Sequence, residues 1–220
     1  DNKESANRFT LKKTEIPDFT SLNINLEDSD LNIEESPNEK SYIEYAQATK
    51  DKKNPVSYSI ENGTLTLKEA GNTGASYYIN VDISFLQAAL SSKNIEDYTK
   101  ESSKYENYVT LYLPKDKLVS SAKIYLGYGD FYVKNATFDT TNIKLDDGDF
   151  DANTLTANSG KLTFSYGDCD LQKASLGNIS LTSKDGDLTV NELTLSGKTK
   201  IALSYGDAEI TLNDSTKKVS

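Results

Sequence analysis

The 220-residue sequence predicts an all-β fold: a single-chain, β-helix-like β-solenoid with nineteen-residue coils, capped by an irregular β N-terminal half. Three observations carry this reading. First, a short phrase, x-G-D followed by an apolar residue, is written five times. It reads Tyr128-Gly129-Asp130-Phe131, Asp147-Gly148-Asp149-Phe150, Tyr166-Gly167-Asp168-Cys169, Asp185-Gly186-Asp187-Leu188 and Tyr205-Gly206-Asp207-Ala208. Its glycines stand nineteen, nineteen, nineteen and twenty residues apart, and self-similarity at a fixed period near twenty marks a solenoid.

Second, aligning the five units on the glycine sorts apolar residues into columns. Ile124, Ile143, Leu162, Leu181 and Ile201 form one, and Leu126, Leu145, Phe164, Ser183 and Leu203 another. Phe131, Phe150, Cys169, Leu188 and Ala208 follow the turn, then Val133, Ala152, Leu171, Val190 and Ile210. Third, the spacing within each run is two, so these are strands with one face inward. Two or three strands of three to five residues per repeat, closed at the Gly-Asp corner, make one coil. A lone coil cannot offset the entropy of ordering itself, whereas coils stacked about 4.8 Å apart share both ladder bonds and a core. At the corner, glycine is expected to supply a positive φ.

In chain order, residues 1–15 read as a polar N-terminal stub, the remnant expected after removal of a leader or anchor. Residues 16–119 form the irregular β part. There Leu22, Ile24 and Leu26, then Asp28-Ser29-Asp30, then Leu31 and Ile33 repeat the phrase with serine for glycine, and mark a first coil or its pairing partner. Tyr42 to Ala46 is a strand candidate, and Lys50 to Asn54 a charged turn closed by Pro55. Val56, Tyr58 and Ile60, a turn at Glu61-Asn62-Gly63, and Leu65 with Leu67 signal a β-hairpin. Tyr77 to Ile83 is another strand candidate, and Phe85 to Lys104 an insertion holding a short helix or loop. Tyr108 to Leu113 alternates strictly until Pro114. Residues 120–212 are the regular repeats, and 213–220 a polar tail whose lysines protect the final edge.

Composition narrows the chemistry. A pI near 4.6 and a formal charge of −10, with 34 acids against 24 bases, argue against a nucleic-acid partner. No apolar run approaches the length of a membrane span. The chain has no histidine, which removes the commonest general base and transition-metal ligand together. Its single cysteine, Cys169, stands in an inward column between Phe150 and Leu188 and reads as a small core residue, not a nucleophile. No cofactor is expected, because no phosphate loop and no Cys or His metal spacing occurs.

The aspartates Asp130, Asp149, Asp168, Asp187 and Asp207 should stack one per coil. Neighbouring carboxylates at that spacing repel by roughly 1 kcal/mol in bulk water, so something must offset the repulsion. One answer is that each accepts N–H bonds inside its own turn. The other is Ca²⁺ at Asp147 with Asp149 or at Asp185 with Asp187, although the nonapeptide of calcium solenoids is missing. Before the glycine, Tyr128, Tyr166 and Tyr205 alternate with Asp147 and Asp185. With outward Tyr125 and Tyr132 they form a candidate interaction surface for sugars or a protein, although tyrosine also serves simply as a strand former. Paired carboxylates invite comparison with glycosidases, but the acids are spread evenly along the repeat instead of being gathered at one cleft.

The opening S-L-N-I-N-L-E-D-S-D-L-N-I, the V-T-L-Y-L-P of Val109 to Pro114 and the K-I-Y-L-G-Y-G-D-F-Y-V that follows together resemble the DUF4097 family, a bacterial β-strand repeat group that carries an adhesin label. The resemblance runs from about Ile16 to Leu212, broken at Phe85 to Lys104. It implies an extracytoplasmic, cell-surface or envelope protein, often tethered to the membrane by a segment outside this sequence, with a β-solenoid fold and no established catalytic activity. The function expected is non-enzymatic binding of a protein or of a cell-wall or other glycan through the solenoid faces. The alternatives are a structural or envelope-stress module without a ligand and, third, a polysaccharide-acting enzyme.

Overall fold

Period-two patterning dictates strands, and among the described residues of the computed structural model every regular element is one. The structure describes residues 7–49, 55–69 and 107–213. In chain order the strands are β1 (Asn7–Ile16), β2 (Ser21–Leu26), β3 (Asp30–Glu35), β4 (Ser41–Thr49), β5 (Val56–Glu61), β6 (Thr64–Glu69), β7 (Tyr108–Leu113), β8 (Leu118–Leu126), β9 (Phe131–Leu145), β10 (Phe150–Phe164), β11 (Cys169–Asp185), β12 (Leu188–Leu195), β13 (Lys200–Tyr205) and β14 (Ala208–Leu212).

The long strands are laps of a solenoid of about five turns. Strands β9, β10 and β11 pair in parallel with an offset of nineteen, so that Ile143 meets Leu162 and Leu162 meets Leu181. The columns expected from sequence are therefore physical stacks. Pairing lapses at Asn153 and Asn158, where the chain bends and outward residues interrupt the alternation. Each lap thus has three short runs, and the Gly-Asp turn supplies the remaining corner. Inside, Phe131 and Phe150 lie 5.0 Å apart between ring centroids, and Phe150 and Phe164 lie 5.5 Å apart.

The Asp28-Ser29-Asp30 phrase does mark the first lap. Strand β2 pairs in parallel with β8, and β3 pairs with the start of β9. Strand β1 and the strands between β3 and β8 build the cap. Strand β7 lies parallel to β3, and β4 and β1 follow in antiparallel order. The β5–β6 hairpin forms as the sequence indicates, with positive φ at Asn62 and Gly63, and β6 lies parallel to β2. The cap therefore extends two faces of the solenoid and reverses strand direction at its rim.

Two expectations are corrected. Residues 7–16, assigned by their polarity to a stub through residue 15, form β1, because the exposed side of a rim strand tolerates polar residues and β4 supplies its partner bonds. The corner glycines are not, in general, there for positive φ. Only Gly206 among the five has it. A Cβ on Gly148 would stand 1.9 Å from the carbonyl oxygen of Gly129, and one on Gly167 2.0 Å from that of Gly148. Close backbone approach between laps is what requires glycine there. The strand expected at Tyr77 to Ile83, the insertion at 85–104, the turn at 50–54, residues 1–6 and the tail at 214–220 lie outside the described residues.

Among the described residues the core contains one polar mismatch. Thr141 is 1% exposed, and its Oγ1 finds no hydrogen-bond partner among the described residues. Valine has nearly the same shape and no hydroxyl to desolvate, so Thr141→Val is expected to stabilise the fold by about 1 kcal/mol. Thermal melting should register this as a rise of about 2–4 °C. A fall would show that the hydroxyl is satisfied.

Candidate functional site

The corner edge concentrates the unusual chemistry. Three columns run along it, one on each side of the glycine and one made by the glycine itself. After the glycine, the aspartates form a continuous ladder in which each backbone N–H donates to the carboxylate one lap earlier. Asp130 N donates to Asp30 Oδ1, Asp149 N to Asp130 Oδ1, Asp168 N to Asp149 Oδ1 and Asp187 N to Asp168 Oδ1, all at 2.8 Å, and Asp207 N to Asp187 Oδ1 at 2.9 Å. The expectation of bonds inside each turn is thus corrected: the acceptor belongs to the neighbouring lap. The main chain completes the zipper, since Phe131 N donates to Asp149 O and Phe150 N to Asp168 O, each at 2.9 Å. Bonds from N–H to carboxylate are what offset the repulsion along the column.

At the capped end the ladder closes with Asp30 N donating to Asn107 O at 2.9 Å, and the turn just before Asp30 is held by Glu69. Its Oε2 accepts from the backbone N–H groups of Glu27, Asp28 and Ser29 at 2.9, 3.0 and 3.0 Å, and Ser29 Oγ donates to its Oε1 at 2.7 Å. Ser29 Oγ also lies 2.9 Å from Gln47 Oε1. One carboxylate at the end of β6 thereby serves all three N–H groups of the first turn. Nothing in the sequence around Glu69 singles it out, because its partners lie about forty residues away.

Before the glycine, the column alternates without a break. Asp147 N donates to Gly127 O, Tyr166 N to Asp146 O and Asp185 N to Ser165 O, while Asp185 pairs with Tyr205. Tyr128 N donates to Glu27 O in the same manner, which seats Tyr128 over Asp28. The resulting order is Asp28, Tyr128, Asp147, Tyr166, Asp185, Tyr205. The tyrosines are 64%, 68% and 74% exposed in chain order. These large rings project into solvent from a backbone locked on both sides.

Beside this column a shallow groove of about 390 Å³ opens between Glu27, Tyr125, Tyr128, Asp146 and Tyr166. Tyr125 OH donates to Asp146 Oδ2 at 2.6 Å, and that bond, with burial and the negative neighbours, pushes its phenol up to about 12. Lys144 Nζ lies 3.3 Å from Asp146 Oδ1 and 5.5 Å from the centroid of the Tyr125 ring. Tyr132 is not part of this arrangement. It pairs with Asp151 on the face beyond the corner, half-buried, and its hydroxyl accepts from Asn153 Nδ2 at 3.1 Å. Of the calcium candidates, Asp149 and Asp187 belong to the ladder, while Asp147 and Asp185 are exposed on the alternating column. Among the described residues no group of three Asp, Glu, His or Cys side chains gathers to hold a metal ion. Cys169 is a free, buried thiol, and burial raises its pKa, the opposite of an activated nucleophile.

The crowding of acids disfavours ionisation of two carboxyl groups. Burial, then Asp170 and the ladder aspartates, raise the Asp151 carboxyl above the usual range, and burial with Asp28, Glu69 and Asp146 raises Glu27. A raised carboxyl binds its proton more tightly folded than unfolded. Stability from these two groups is therefore highest at low pH and falls as pH rises from the ordinary carboxyl range through their raised values. Asp151→Asn is expected to raise the melting temperature at pH 7 and to flatten its slope as pH rises above the ordinary carboxyl range, as measured by calorimetry at stepped pH. A lower melting temperature at pH 7 would contradict the assignment.

The family model described as Toastrack DUF4097 matches residues 19–220. A search of the curated proteins finds no match. Among solved structures, a "putative cell adhesion protein" from Clostridium sporogenes is similar, with 14% identity and a TM-score of 0.51, over 94% of this chain and 99% of that one. A "putative adhesin" from Bacteroides fragilis is 12% identical, with a TM-score of 0.42, over 93% and 97% of the two chains.

Proposed function

The chain belongs to the Toastrack DUF4097 family, and from that premise we propose that it is a non-enzymatic, adhesin-like bacterial surface or envelope protein that binds its partner along the corner edge of the solenoid. The observation that carries this reading is the row of exposed tyrosines on the alternating column, held by a rigid zipper. Tyrosine offers a large amphipathic contact at little entropic cost when its backbone is already fixed. The acids beside it are evenly spread and largely spent on backbone bonds, which suits recognition better than proton transfer. The adhesion name carried by the Clostridium sporogenes protein of like fold points the same way. In this reading the protein works outside the cytoplasm, held at the membrane by a segment outside the sequence given, with a protein or glycan as partner.

The test is capture. Purified protein is incubated with bacterial cell-wall fragments and with matrix proteins, alongside a triple variant, Tyr128→Ala, Tyr166→Ala and Tyr205→Ala. Retention by the parent and loss by the variant, with no degradation of the captured material, is the expected result. Turnover of a polysaccharide would overturn the non-enzymatic reading. A variant retained as well as the parent would leave the scaffold reading in its place.

A further inference from the structure

We infer that the alternating column binds a linear β-1,4-linked amino-sugar polysaccharide laid parallel to the solenoid axis, with sugar rings on Tyr128, Tyr166 and Tyr205 and free amino groups against Asp147 and Asp185. This rests on the binding role proposed above and specifies its ligand.

The first support is spacing. Adjacent laps are one ladder rung apart, so tyrosines on every second lap are separated by about 9.6 Å, twice the interstrand distance. In a β-1,4-linked chain each pyranose is turned over relative to the last, and the same ring face recurs every second sugar. The length of one such disaccharide is close to two rungs. An extended glycan can therefore present equivalent faces to all three rings without bending, and apolar C–H faces of pyranoses stack on tyrosine. The register of the zipper supports this spacing, since Asp147, Tyr166 and Asp185 each donate through their backbone N–H to the lap before.

The second support is charge. Between the rings stand the exposed carboxylates of Asp147 and Asp185, while Glu27 and Asp146 line the adjoining groove. The ladder aspartates lie one residue beyond the glycine, and the whole chain carries a formal charge of −10. An anionic polysaccharide would be repelled by this edge. In mildly acidic buffer, below the pKa of its amines and the condition used for the test, a glucosamine chain brings one ammonium per sugar, which serves both as a partner for the intervening carboxylates and as a cation at the faces of the neighbouring rings. Two cations also line the groove: Lys144 is paired with Asp146, and Lys184, next to Asp185, offsets part of the negative charge without cancelling that of Glu27, Asp146, Asp147 and Asp185 together.

The probe is the β-1,4-linked glucosamine hexamer, compared with its fully N-acetylated counterpart and with polygalacturonate. Because the chain lacks tryptophan, a ligand-induced change in tyrosine emission that disappears in the tyrosine triple variant reports stacking on these rings, and calorimetry gives affinity. The free-amine hexamer is expected to bind at least tenfold more tightly than the acetylated one and to weaken as salt is raised, with polygalacturonate not binding. Tyr166→Ala should lose at least tenfold in affinity and Tyr166→Phe should keep it. Asp147→Asn with Asp185→Asn should erase the preference for free amines. All these positions are exposed, and unchanged melting temperatures confirm that each variant folds.

Equal binding of the two hexamers, preference for polygalacturonate, or full binding by the tyrosine triple variant overturns the inference. If the parent instead captures another glycan or a protein through the same tyrosines, the amino-sugar assignment fails while the binding role stands. If tyrosine substitution affects no capture at all, both fail.

Discussion

Gly148→Ala is expected to be among the most damaging single substitutions in the molecule, costing roughly 3–5 kcal/mol. The added Cβ would lie 1.9 Å from Gly129 O, 2.5 Å from Gly129 C and 3.0 Å from Asp130 N. All three are backbone atoms, so no rotamer change relieves the clash. The lap can move away only by stretching Asp149 N to Asp130 Oδ1 and Phe131 N to Asp149 O, bonds of 2.8 and 2.9 Å. Urea unfolding should show the loss, with Asp147→Ala next door changing stability by no more than about 0.5 kcal/mol. Equal midpoints for the two variants would refute the close-approach explanation of the glycine column.

Glu69→Ala is expected to cost about 2–4 kcal/mol, because three backbone N–H groups at the first turn lose their acceptor together and Ser29 Oγ loses one of its partners. Glu69→Gln should fall between parent and alanine, since its amide oxygen can still take the N–H groups. Hydrogen exchange gives the sharper reading. The amides of Glu27, Asp28 and Ser29 should lose protection selectively in the alanine variant, while those of the middle laps follow global stability. The glutamine variant should also return the Glu27 carboxyl toward its ordinary range, because Glu69 is one of the charges that raises it. Unaltered protection at the first turn would mean that the cap does not depend on this carboxylate.

The parts of the fold legible in the sequence are those written once per lap. The column Ile143, Leu162, Leu181 is a true stack because a nineteen-residue offset puts the same side of the pleat inward each time. Even Ser29 could be read: it occupies the glycine position of the first lap, where its side chain bonds Gln47 and Glu69. Periodicity says nothing, however, about which atoms cross between laps. The aspartate carboxylates reach the next lap instead of their own turn, a choice made by a rung spacing that has no trace in one dimension. The cap was expected as irregular β structure, but its strand order was hidden for a related reason. Strand β7 meets β3 through Val109 and Leu31, a pairing set by tertiary contact and not by any repeat. At the site, alternation of Tyr128, Asp147, Tyr166, Asp185 and Tyr205 was plain from spelling, whereas the separation of Tyr132 follows from the sharpness of the corner.

The zipper also makes the molecule a ruler whose length is adjustable in whole units. A lap such as residues 150–168 touches only its two neighbours, and its upper and lower surfaces offer the same hydrogen-bond pattern. A duplicate inserted after residue 168 should be accepted with both extremities unchanged, lengthening the rod by one rung, about 4.8 Å. It would not be silent at the edge, however. Adding an odd number of laps throws the tyrosines and aspartates out of phase beyond the insertion, whereas a duplicated pair preserves their order, so the column counts in twos even though the fold counts in ones.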